Sequence, residues 1–150
     1  MGIVETPLTL LGSKTPRAVI YKSESHKLHQ AFNVKSGQTV VKGQPVKLET
    51  DGTISPYTGT GVYLGIAVTD SVNPAYQAQR NFPVEVTVMV EGFAIVNWVA
   101  AEESTPAGYL TPGSDLLNSR YVKATKSVAE TKFIGLNTAD SNEIIQGLVR

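Results

Sequence analysis

The chain has 150 residues, and its 13 basic and 13 acidic side chains give a formal charge of zero. It has no cysteine, which excludes disulfides, thiolate metal sites and a thiol nucleophile. The length suits a single domain with its own core, and no apolar run reaches the roughly 20 residues of a membrane helix.

Charge is unevenly spread. Residues 1–47 carry seven basic side chains against two glutamates, so the remainder is acidic. Two readings fit: charges scattered over solvated loops, or a basic N-terminal segment lying on an acidic neighbour. Nucleic acid is not an expected partner, because no basic run is interleaved with aromatics. A membrane is not expected either. The start lacks a charged-then-apolar secretory pattern. Met1 to Thr6 fits the short myristoylation pattern, but that pattern is weak and an ordinary start followed by a small residue explains it.

In chain order, residues 1–31 read as an extended arm. Leu8, Leu10 and Leu11 precede Gly12, and Ala18 to Tyr21 is a short strand candidate. That strand would add to this domain or to another subunit. The polar stretch Ser23 to Gln30 holds both histidines. Residues 32–150 read as one β domain. Phe32 to Asp70 is a string of short strands, with Gly37, Gly43 and Gly52 between Val34, Val40, Val46 and Leu48. Asp51-Gly52 is a hairpin signal, and Tyr63 to Val68 is an apolar strand with Gly65 inside. Val72 to Phe82 reads as a loop. Val84 to Val90 alternates with period two, placing four valines on one face. Gly92 then marks a kink or turn before Phe93 to Val99. Ala100 to Ser104 reads as a helical turn or loop, and Pro106 to Gly113 as turns. Strands are expected at Tyr121 to Ala124, Lys132 to Leu136 and Glu143 to Val149. No helical stripe persists over three turns. The class is all-β: a compact barrel or sandwich of about eight to ten strands.

An internal echo is visible. Val62 to Ser71 aligns without gaps to Lys132 to Ser141, matching aromatic, aliphatic, glycine, aliphatic and a final Asp-Ser. Two related β units are expected.

Chemistry is sparse. His26 and His29 would share a face only on a helix, and the chain holds no third histidine. No G-x-S-x-G elbow is present, and the glycines from Gly59 to Gly65 lack the spacing of a phosphate loop. No paired carboxylates suit acid/base work. Enzyme activity, metal and cofactor are therefore not expected. Trp98 is expected in the core or an oligomer interface. The loop holding Pro74, Tyr76, Gln77 and Arg80 is a candidate contact surface, because an aromatic beside an arginine is a common interface anchor.

Two resemblances follow from ordered motifs. Gly37 to Val46, then Leu48 to Asp51, resembles the segment before the modified lysine of lipoyl and biotinyl carrier domains. Gly52 stands where that family has its lysine, so the resemblance implies turn geometry and no carried cofactor. The block Val34 to Ile54 sets Gly37 and Gly43, six residues apart, between Val34, Val40 and Val46, and then has Asp51-Gly52 before Ile54. It is followed by Gly65-Ile66-Ala67, the Val84 to Gly92 strand, Ala107 to Gly113, and Phe133 to Val149. Together these resemble the head decoration, or capsid cement, proteins of tailed bacteriophages. That resemblance implies a structural virion protein on the outer capsid surface, bound to the major capsid protein and oligomeric, as a trimer. Under that reading Lys14, Arg17, Tyr21 and Lys22 on the arm are the expected contact groups, with Tyr76 and Arg80 as a second set. The alternative is a sugar- or peptide-binding β module of a fibre or adhesin.

Overall fold

The computed structural model describes residues 19–23, 27–71, 84–127 and 132–149. These form eleven strands and no helix: β1 (Ile20–Ser23), β2 (Leu28–Asn33), β3 (Pro45–Leu48), β4 (Ile54–Pro56), β5 (Val62–Ala67), β6 (Glu85–Glu91), β7 (Ala94–Ala100), β8 (Gly108–Leu117), β9 (Tyr121–Lys126), β10 (Phe133–Gly135) and β11 (Ile144–Val149). The fold is an all-β compact structure built from two curled sheets. The first has the order β2-β6-β5-β3-β4; the second has β1-β7-β11-β10-β8-β9.

Leaving β1 aside, the two orders are the same. Each sheet lists its own five strands as first, fifth, fourth, second, third. Each also bends so that its first and third strands meet in parallel, at Val34 and Ile54 in one unit and at Val99–Ala100 and Lys123–Ala124 in the other. Hydrogen bonds outside the ladders repeat too. Val34 N–H donates to Val84 O at 2.8 Å, and Ala100 N–H to Glu143 O at 2.9 Å. Tyr57 N–H donates to Pro45 O at 2.8 Å, and Ser127 N–H to Tyr109 O at 3.0 Å. Thr87 N–H donates to Thr69 Oγ1, and Gln146 N–H to Asn137 Oδ1.

The sequence echo is nonetheless displaced. It matches Gly65 to Gly135, whereas the ladders match Ala67 (opposite Val88) to Gly135 (opposite Gly147). The shift is two residues, which keeps every side chain on its own face and so preserves the apolar pattern. Beyond the strand the echo is in step. Lys42 N–H donates to Asp70 Oδ1 at 2.6 Å, and Ser104 N–H to Asp140 Oδ1 at 2.9 Å. Two extra residues ahead of Asp140 absorb the difference.

The strand expected from Ala18 to Tyr21 adds to this domain, one of the two placements the sequence leaves open, and Ala18 lies outside the described residues. Val19 is buried, and β1 pairs antiparallel with β7, so Ile20 lies opposite Val96 and Ser23 opposite Ala94. β2 pairs along its length with β6. Residues 19–23 and 27–33 thus contribute one edge strand to each sheet. β2 escaped the sequence reading because Leu28 to Ala31 are all exposed and carry no alternation. β8 escaped because Pro112 and Gly113 punctuate it. Its register slips between Pro112 and Leu116, and a proline is tolerated beside such a bulge. These two strands carry the count beyond the expected number.

Two cores result. Val34, Val40, Val46, Ile54, Ala67, Val86 and Val88 fill the first barrel. The second cluster spans both units: Trp98, Val96, Phe133 and Ile145 from one, and Ile66, Met89, Tyr57 and Val41 from the other. Fully burying such side chains stabilises by about 1.5–3 kcal/mol each. Phe133 meets Tyr57 and Tyr63 edge to face, at ring distances of 6.1 and 5.3 Å. Trp98 is fully buried and donates Nε1–H to Gly43 O at 2.9 Å, joining the units. Gly43 has φ +87° and lies against Val19 and Val96. A side chain there would meet both strain and collision. Gly92 (φ +133°) carries the chain from β6 of the first sheet into β7 of the second.

Candidate interaction surface

The most distinctive surface lies on the outer face of the second sheet. Strand registers place Lys22, Ile95, Leu148, Ile134 and Tyr109 in one row across β1, β7, β11, β10 and β8. Their neighbours Ala94, Val96, Val149, Phe133 and Leu110 are buried, so by alternation the row points outward. Ile95, Leu148 and Ile134 are half-buried, and Tyr109 is 48% exposed. Phe93 (51% exposed) and Leu136 (46%) flank the row. A groove of about 210 Å³ lies at its β1 end, lined by Lys22, Ser23, Phe93, Ala94, Ile95 and Leu148. Large apolar side chains placed side by side on a solvent face mark interaction sites, whereas isolated ones do not.

Of the contact residues expected from sequence, Tyr21 and Lys22 fall within the described residues. Both sit on β1, exposed, with Lys22 Nζ 5.2 Å from the Tyr21 ring centre. Lys22 belongs to the row itself. Lys14, Arg17, Tyr76 and Arg80 lie outside the described residues. Ile95, Leu148, Ile134 and Tyr109 were not picked out from sequence. Phe93 to Val99 and Ile144 to Val149 are apolar on both faces, and that pattern also describes a strand buried on both sides.

Other concavities offer little chemistry. A pocket of about 370 Å³ is lined by Ser104, Thr105, Pro106, Thr138, Ala139, Asp140 and Glu143. Its carboxylates serve turns: Asp140 accepts from Ser104 N–H, and Glu143 from Asp140 N–H. Among the described residues no group of three His, Asp or Glu side chains gathers as a metal site. His29 is exposed on β2, and His26 lies outside the described residues. Asp51 is held below its ordinary value of 3.8, first by the Thr53 hydroxyl and then by the Thr53 backbone N–H. Those bonds, at 2.7 and 3.0 Å, close the β3–β4 turn.

What this surface can do is bind. The row is apolar and ends on one cation, Lys22. No family model matches the chain, and no curated protein matches it.

Proposed function

We propose that the chain is a structural, non-catalytic component that decorates a bacteriophage capsid by binding the lattice of its major capsid protein, as a homo-oligomer. The ordered motifs from Val34 to Val149 motivate this reading. The exposed apolar row Ile95, Leu148, Ile134 and Tyr109 is the observation that carries its homo-oligomeric part, because a chain that assembles on a shell needs a broad protein-binding face. Many such contacts repeated by lattice symmetry give an avidity no single contact supplies.

The test is co-sedimentation of the purified chain with empty shells assembled from the major capsid protein of the encoding virus. Saturable binding at a fixed ratio to capsid subunits, with a raised shell melting temperature, is expected. A chain left in the supernatant at every concentration would rule the role out.

A further inference from the structure

The repeated topology shows what covers this kind of row. By ladder position, Ile95, Leu148, Ile134 and Tyr109 of the second unit correspond to His29, Met89, Ile66 and Pro45 of the first. Those four also form one cross-strand row, over β2, β6, β5 and β3. In the first unit three of the four are covered, and His29 at the end of the row stays exposed. Ile66 and Met89 are buried at 1% and 4% exposure, and Pro45 is buried. The cover is the inner face of the second unit. Ala94 lines the same cleft as Met89, Val96 packs at Gly43, and Trp98 bonds the Gly43 carbonyl.

The covering residues have counterparts of their own. Ala94, Val96 and Trp98 of β7 correspond to Leu28, Gln30 and Phe32 of β2. Ala94, Val96 and Trp98 are all buried against the first unit. Leu28 is 56% exposed, Gln30 is exposed and Phe32 half-buried. Among the described residues there is therefore an exposed row on the second unit and an exposed patch (Leu28, Gln30, Phe32) at the mouth of the first, and these are the halves of a contact the chain already makes internally.

We propose that they meet between copies. The mouth of one copy's first unit (Leu28, Gln30, Phe32) covers the Ile95–Leu148–Ile134–Tyr109 row of the next copy's second unit. The contact uses two different surfaces, so it is head to tail and either closes into a ring or runs on as a filament. A trimer so built is a ring of six related units. The inference deepens the oligomeric part of the proposed function and names its surfaces.

Because the chain lacks cysteine, single thiols can be placed at will. Inside one molecule Ala94 and Met89 line one cleft, so the equivalent pair between copies is Leu28 and Leu148. Leu28→Cys and Leu148→Cys chains are prepared separately, checked for wild-type circular dichroism and melting, and treated with a short bismaleimide alone and mixed. Cross-linked dimer from the mixture, at several times the yield of either chain alone, is the expected result. Equal or greater yield from Leu148→Cys alone would mean a back-to-back interface and overturn the proposal. So would the absence of dimer in all three samples. A wild-type chain that fails to bind shells while the mixed cross-link forms would sink the decorating role and leave this interface standing.

Discussion

Trp98 carries more than its own burial. Its indole fills the space between the units, and its N–H satisfies the Gly43 carbonyl. Trp98→Phe leaves that buried carbonyl without its donor, at about 1–3 kcal/mol, and opens a void beside Phe133, 5.5 Å away. Thermal denaturation should fall by at least a few degrees, at roughly 2–4 °C per kcal/mol for a chain this size. An unchanged melting temperature would remove the indole from its bridging role. From sequence, Trp98 is expected in the core or in an oligomer interface rather than in a ligand site. Nothing in its neighbours tells which strand face a second unit will cover. Asp51 is a simpler case. Thr53 lowers its pKa through two hydrogen bonds to the ionised form. Its stabilising effect is therefore present above the ordinary carboxylate value and is lost as pH falls through the lowered one. Thr53→Val should raise the Asp51 pKa toward 3.8 in a carbon-detected NMR titration.

Among the elements, β1 has the clearest consequence. Val19, just ahead of it, packs in the core against Gly43, and β1 itself covers the edge of β7. Deleting residues through Ser23 strips both away, and the exposed β7 edge becomes a template for pairing with other chains. The truncated chain should melt lower and aggregate at concentrations the full chain tolerates, as light scattering would show. Equal stability and solubility would mean that β1 is dispensable. How legible an element was depended on how one-sided its burial is. β6 alternates Val86 and Val88 inward with Glu85 and Thr87 outward, and its strand pattern was plain. β2 is bathed in solvent along most of its length, so its sequence follows no burial pattern. The outer row was hidden for the opposite reason: β7 and β11 are apolar on both faces, and only the finished sheet shows which face stays uncovered.

For the whole molecule, the cluster around Trp98 and Phe133 draws Ile66, Met89 and Tyr57 of the first barrel into the second core. Neither unit keeps that core without the other. Calorimetry should give one transition with matching calorimetric and van't Hoff enthalpies; two resolved transitions would show the barrels to be independent. The all-β class and the presence of two related units could be read from strand spacing and from the echo around Gly65 and Gly135. The exact correspondence could not, because a two-residue slip leaves the apolar pattern intact.

The placement of β1 has a mechanical consequence. β1 and β11 flank the same strand, β7, and both run antiparallel to it. They are therefore parallel to one another. Tension applied at the start of β1 and the end of β11 pulls along the strand axes, across hydrogen bonds that lie perpendicular to the strands. Both ladders are loaded in shear, and their bonds must fail together rather than one by one from an end. A chain pulled at those two points would be loaded along its strands rather than peeled from one edge.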